Sequence, residues 1–330
     1  MSAGAPKVTV AIPVYNSAKT LARCLDSAAR QTMRDIEILV ADDGSADDSA
    51  AVAQSFADRD ARIRVIRLGQ NGGKPRAMNR LVAAARGEWV AVLDADDTYA
   101  ETRLERLVGM AEAHGVEMAA DNIRYIDAGV EQVVRTGFDP SGPSRIVAKR
   151  DLTRNSDSFG EFDFGILKPV IRRDFLIAHG LTYFEETRLA EDFYYLMNFF
   201  VAGGRGYLSS EPLYNWTMPF GAISRRWTET GSGAWRYDYR QALRANEHFI
   251  AEMERRGERE VVAMLRARSR QYRAMIPYLD AQRLASEHRW YKALRTIAAH
   301  PSTYRLLAQR IAGRAWRLAA GRLAGAGASR

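Results

Sequence analysis

A short apolar run, Trp89-Val90-Ala91-Val92-Leu93, ends in Asp94-Ala95-Asp96-Asp97, which places three carboxylates within four positions. The run reads as a buried strand. Unpaired buried charge is expensive, so the carboxylates must sit at the strand's open end and meet cations there. In an open parallel sheet, ligands bind in the crevice outside the carboxyl ends of the strands, and an oxygen-rich cluster there suits a hard divalent ion held partly by phosphate. The segment therefore points to a nucleotide-phosphate and metal site on an α/β fold. Taken alone, it also fits a strand followed by an acidic helix cap, with Asp97 or Thr98 as the N-cap.

The residues before it repeat one pattern. Short continuous apolar runs at 7–13, 36–41, 63–68 and 89–93 alternate with helical periodicity at 18–31, with Ser17 as N-cap, and at 48–57 and 75–85. Strands spaced by helices of this length predict a parallel sheet covered on both faces. A helix at 104–114 and a strand at 116–126 continue the series. Residues 129–154 carry Gly, Pro and charge without steady period and read as a loop. Residues 162–191 are mixed, with aromatics suited to a second wall of a cleft. Residues 235–275 and 280–299 read as helix.

The chain has 330 residues, 47% of them hydrophobic, enough for one large domain with an appendage. Cys24 is the only cysteine, which excludes a disulfide framework or thiolate metal cluster and fits a reducing, cytoplasmic setting. Neither a secretory signal nor a membrane-spanning apolar stretch is visible. The net charge of +8 is concentrated late: no acidic residue follows Glu287, while Arg289, Lys292, Arg295, Arg305, Arg310, Arg314 and Arg317 do. Trp290, Leu306, Leu307, Ile311 and Trp316 interleave with them at helical intervals. This suits a peripheral helix on an anionic membrane surface, or a terminal helix packed on its own domain with a wet basic face. No nucleic-acid reading module is present. The helices after Ser232 also offer a face for a homodimer.

Two further strand ends are polar: Pro13-Val14-Tyr15-Asn16 after the first and Asp42-Asp43-Gly44-Ser45 after the second. A carboxylate there can accept from a base imide or a ribose hydroxyl, and Gly44 permits a tight turn; each aspartate singly also fits an Asx turn. No Gly-x-Gly-x-x-Gly follows the first strand, so a dinucleotide-binding fold is not indicated.

Together these segments carry a resemblance. Ile12-Pro13-Val14-Tyr15-Asn16, Gln31-Thr32 before Ile36-Glu37-Ile38, Asp42-Asp43-Gly44-Ser45, Asn71-Gly72-Gly73 and Leu93-Asp94-Ala95-Asp96-Asp97 occur in the order and spacing of family 2 glycosyltransferases with the GT-A fold. The chain resembles that family most specifically over residues 7–100, less to about 225, and weakly beyond. The resemblance implies a single GT-A domain at 1–228, with a nucleotide-binding half at 7–100 and an acceptor-binding half at 101–228. A helical, basic extension follows at 229–330. It implies a nucleoside diphosphate sugar as donor, commonly UDP-linked, and Mn2+ or Mg2+ as cofactor. Asp43 would contact the base, Asp94 and Ala95 the ribose side, and Asp96 the metal, with Asp97 as a helper; Pro13 and Tyr15 would shape the nucleotide pocket. Lys74 and Arg76 are placed to meet diphosphate charge, although many relatives have Ala-Arg-Asn where this chain has Ala77-Met78-Asn79.

Glu191-Asp192, before Phe193-Tyr194-Tyr195, resembles the family's base segment. Asp192 would deprotonate the acceptor hydroxyl and Glu191 would orient its surroundings, with Asp163 and Glu161 as weaker alternatives. Direct displacement with inversion follows. Ser224, Arg225 and Arg226 fall in a stretch that closes over the diphosphate in relatives, and Trp216 and Trp227 are candidates for stacking on sugar faces. Processive synthases carry Gln-x-x-Arg-Trp here, whereas this chain has Ala222 or Ile223 where the glutamine would be needed, so transfer of one sugar is expected. The acceptor would be a glycan or a polyprenyl-linked or other lipid carrier, in exopolysaccharide or lipopolysaccharide synthesis at the inner membrane face. The alternatives are a sugar-nucleotide nucleotidyltransferase, which lacks its glycine-rich basic loop after strand one, and a non-catalytic sugar-nucleotide-binding protein.

Overall fold

The computed structural model describes residues 5–154, 163–218, 239–304 and 308. The first half alternates as the apolar runs require: β1 (Val8–Val14), α1 (Ala18–Ala29), β2 (Ile36–Asp42), α2 (Ser49–Ala57), β3 (Ile63–Arg67), α3 (Lys74–Ala84) and β4 (Trp89–Val92). A two-residue strand β5 (Thr98–Tyr99), α4 (Arg103–Ala113) and β6 (Met118–Asp127) follow. Strands β3, β2, β1 and β4 are parallel neighbours in that order, and the sheet continues through β9 (Val170–Arg172), β6 and β10 (Gly206–Met218) to β5. β9 runs antiparallel to both β4 and β6, while β6 and β10 are parallel. The result is a mixed α/β fold whose central sheet is parallel through β3, β2, β1 and β4 and mixed beyond them.

β1 and β2 are buried almost throughout, since helices cover both faces. On one face Leu21, Cys24 and Leu25 of α1 and Leu104 and Leu107 of α4 pack on Val10, Ile12 and Val40. On the other, Ala77 and Leu81 of α3 meet Phe193 and Phe199 of α7 (Glu191–Val201). Helices α8 (Tyr239–Arg255) and α9 (Arg259–Ser286) join this second core through Phe249, Met253 and Leu265. Arg268 of α9 pairs with Asp163 at 3.0 Å and lies over the Phe193 ring, so these helices are built into the wall beside α7.

Several expectations are corrected. Residues 129–154 are not a plain loop: they contain β7 (Gln132–Thr136), β8 (Arg145–Val147) and α5 (Lys149–Arg154). β7 is an outlying strand on β6 with exposed side chains, so it shows no burial alternation to read. Within the helix expected over 235–275, the described residues form two helices. Gly257, in the left-handed region at φ 73°, ends α8, and the Glu258 N–H returns to the Met253 carbonyl. The helix expected over 280–299 is likewise split, by His288 at φ 57°, between α9 and α10 (Trp290–Ala298). Ser17 occupies the N-cap of α1 without a side-chain cap; its hydroxyl turns back to the Tyr15 carbonyl, and Asp47 takes the Ala18 N–H instead. Asp97 and Thr98 cap no helix, because β5 follows directly and α4 starts behind Thr102.

Candidate active site

The register of the sheet sets the site. Val14 pairs with Asp42 and Ala11 with Val92, so the ends of β1, β2 and β4 open on one edge. Pro13 and Tyr15 are half-buried at the end of β1, and Asp43 is 2% exposed at the end of β2. Each Asp43 oxygen accepts a backbone amide, from Gly72 at 2.9 Å and Gly73 at 2.6 Å, which binds the Asn71-Gly72-Gly73 loop to the second strand. Gly44 at φ 73° and Gly73 at φ 88° permit this closure: a Cβ on Gly44 would press on the Gln70 and Asn71 backbone, and one on Gly73 would strike the Arg188 guanidinium. Asp42 forms the Asx contact, accepting the Ser45 N–H at 3.1 Å.

The segment after β4 divides its carboxylates by depth. Asp97 is 1% exposed and accepts Tyr214 Oη at 2.7 Å and the Thr217 N–H at 2.8 Å, while Tyr214 Oη accepts the Asp94 N–H at 3.2 Å. Burial, with the charges of Asp96 and Asp94, pushes the Asp97 carboxyl well above the usual range. Asp97 is thus an internal pin from the strand end to β10. Ala95 is buried beside it. Asp94 points the other way, into a cluster with Lys74, Lys168, Glu191 and Asp192. Lys74 Nζ lies 2.7 Å from Asp94 Oδ1, 2.9 Å from Asp192 Oδ2 and 3.9 Å from Glu191 Oε1. Lys168 Nζ lies 3.2 Å from Asp94 Oδ2 and 2.5 Å from Asp192 Oδ2. Burial would raise the Asp94 carboxyl, but the two ammonium groups outweigh it and hold Asp94 well below the ordinary value. Both lysines, although buried, are raised by Asp192 and Asp94.

Asp96 has no ion pair among the described residues. Burial and the neighbouring Asp94 charge raise its carboxyl to about 6. A carboxylate so placed, beside other acidic groups and without its own cation, fits a divalent ion. No three His, Cys, Asp or Glu converge as a cage among the described residues, so the other ligands would be phosphate and water oxygens, as hard cations at diphosphate sites accept.

Glu191 and Asp192 begin α7, where the helix dipole favours negative charge. The turn into it is set by Ala190, a non-glycine residue at φ 58°. Burial, with the Asp192 charge, raises the Glu191 carboxyl, and Lys74 opposes this. Tyr183 and Tyr195 stack at 4.0 Å beside the cluster, and Asn79 holds the Tyr183 backbone through both its N–H and its carbonyl.

The structure therefore brings Lys74, Asp94, Glu191 and Asp192 together with Asp96 nearby. Arg76 lies apart, folded over Gly72 with its guanidinium on the Gln70 carbonyl. Asp163 is spent on Arg268 and on the Gly165 N–H, and Trp216 packs against Tyr125. Ser224, Arg225, Arg226, Trp227 and Glu161 lie outside the described residues. Lys168 and Arg188, whose guanidinium donates to Asn71 Oδ1, were not expected from the sequence. The signal for Lys168 was a lone cation between apolar Leu167 and Pro169 at the start of a strand, weak without the fold.

The sequence pattern of the family described as Glycosyl transferase family 2 matches residues 9–173. Succinoglycan biosynthesis protein ExoO of Rhizobium meliloti is 32% identical over 96% of this chain and 88% of its own length. ExoU of the same organism is 37% identical over 58% of this chain and 57% of its own length. Among solved structures, S. aureus TarS in complex with UDP-GlcNAc shares the fold at a TM-score of 0.58 and 19% identity, covering 89% of this chain and 82% of that one. Mannosyltransferase PcManGT from Pyrobaculum calidifontis, in complex with GDP-Man and Mn2+, does so at 0.52 and 19%, covering 94% and 81%.

Proposed function

The chain belongs to glycosyltransferase family 2, and from that premise we propose that it moves one sugar from a nucleoside diphosphate sugar to a hydroxyl of a glycan or lipid-linked acceptor, with inversion. The observation that carries the reading is the joining of Asp192, at the start of α7, to Asp94, at the end of β4, through two shared lysines. A strand-end carboxylate pair on the diphosphate side and a separate carboxylate across the cleft suit a displacement in which leaving group and nucleophile approach from different walls.

In that reaction Asp192 takes the proton of the acceptor hydroxyl as the oxygen attacks the anomeric carbon, and the bond from that carbon to the diphosphate oxygen breaks with its electron pair on the diphosphate. No covalent glycosyl enzyme forms. Asp96 would hold a Mn2+ or Mg2+ ion, which when bound supplies charge stabilisation to the departing diphosphate. Lys74 adds a positive charge beside Asp94, and Asp97 and Tyr214 keep the strand end rigid. UDP-linked donors are favoured by the family and by the UDP-GlcNAc complex of TarS, and a role in exopolysaccharide synthesis by the names of ExoO and ExoU. We place transfer in residues 1–228 and assign the later helices to support and membrane approach. On α10, Trp290, Tyr291 and Leu294 are 60%, 72% and 66% exposed beside exposed Lys292 and Arg295, a composition suited to an anionic membrane surface. No described helix is long and apolar enough to cross a membrane.

Calorimetry with UDP and GDP, each with Mn2+, tests the donor reading. Saturable binding of a nucleoside diphosphate that chelator weakens is expected; the absence of binding to either nucleotide contradicts it.

A further inference from the structure

Two carboxylates with different tasks share one pair of cations. Asp192 Oδ2 accepts from both Lys74 at 2.9 Å and Lys168 at 2.5 Å, and the same ammonium groups cover both oxygens of Asp94. With two donors on it, the lone pairs of Asp192 Oδ2 are occupied, and that oxygen cannot also receive an acceptor's proton. A diphosphate entering beside Asp94 carries several anionic oxygens, which compete for ammonium groups more strongly than one carboxylate oxygen does.

Lys168 is built for such an exchange. Its carbonyl is held by the Arg103 guanidinium, which is itself fully buried and bidentate to Asp121, and Pro169 follows it. The backbone is fixed while the unbranched stem lets Nζ change partners, a property of lysine more than of arginine. Lys74, at the first turn of α3, reaches the same two carboxylates from a different element.

We infer that Lys168 is a second diphosphate-binding residue and that Lys168 and Lys74 pass from Asp192 to the diphosphate when the donor binds. The exchange frees Asp192 Oδ2 in a donor-loaded site. This inference rests on the donor reading above, and its test separates the two.

Calorimetry with Mn2+ compares wild type and Lys168→Gln for the nucleoside diphosphate the wild type prefers, UDP or GDP, and for the matching nucleoside. The variant is expected to bind the diphosphate about 10- to 100-fold more weakly, the loss of one hydrogen bond to a charged group, and the nucleoside within about twofold of wild type. Equal weakening of both ligands, or unchanged diphosphate affinity, overturns the inference while leaving the donor reading in place. Wild type that takes neither nucleotide removes both. Should Lys168→Gln fail to fold, crystals of wild type with the nucleotide and Mn2+ decide: Lys168 Nζ on a phosphate oxygen and away from Asp192 is expected, and Lys168 still on Asp192 with phosphate out of reach overturns it.

Discussion

Replacing Tyr214 with Phe removes one oxygen atom from a side chain that is 1% exposed, and the structure gives the cost. The hydroxyl donates to Asp97 Oδ2 at 2.7 Å and accepts the Asp94 N–H at 3.2 Å, tying the segment after β4 to β10. Phe fills nearly the same volume, so no cavity term arises. What is lost is one short hydrogen bond to a buried carboxyl, about 1.5–3 kcal/mol, with a smaller share from the longer amide contact. For a chain of 330 residues 1 kcal/mol moves the melting temperature by about 1.5 °C, so a loss near 2 kcal/mol predicts a fall of about 3 °C. Because Asp94 and Asp96 ride on the loosened segment, transfer should fall on the order of 10- to 100-fold through misplacement. Circular dichroism melts and a transfer assay on the same preparation read both effects. A melting temperature within about 1 °C of wild type, with transfer unchanged, would refute the claim that Asp97 and Tyr214 pin the strand end.

Two other outcomes follow from the same geometry. Asp96→Asn deletes the carboxylate without an ion pair and should lower transfer by on the order of 100-fold or more while the fold melts as wild type, with chelator reproducing the loss in wild type and added Mn2+ or Mg2+ restoring it; full activity in both cases would remove Asp96 from any metal site. A chain ending near Arg289 should keep transfer to a water-soluble acceptor and lose co-sedimentation with anionic vesicles, each basic contact there being worth about 1 kcal/mol; equal co-sedimentation of both lengths would end the membrane reading.

The first half of the fold was legible because β1, β2 and β4 are largely apolar, buried runs with polar ends adjacent in the chain, and β3, with two arginines and only Ile63 buried, still keeps their spacing from the helices. Asp43, Asp94 and Asp96 could be singled out for the same reason, each just after a strand end, whereas Asp192 was reached through the resemblance to the family. What the sequence could not show were partnerships across the sheet. Asp97 is a structural pin only because Tyr214 reaches it from β10, and Lys168 enters the site only because β9 lies between β4 and β6. β7 was missed since an exposed outlying strand has no buried face to impose alternation, and the break at Gly257 because one glycine in a helical pattern does not declare its φ.

The central claim, that Asp192 is the base of an inverting sugar transfer, is tested most directly by product analysis. Purified wild type and Asp192→Asn are incubated with a panel of sugar nucleotides, Mn2+ and a membrane lipid extract, and products are read by mass spectrometry with the anomeric configuration assigned by NMR. Wild type should add one sugar in the configuration opposite to the donor's. Asp192→Asn should bind the nucleotide yet form product about 10²–10⁴-fold more slowly, as loss of a general base requires. Product of retained configuration, or equal turnover by Asp192→Asn, would contradict the account.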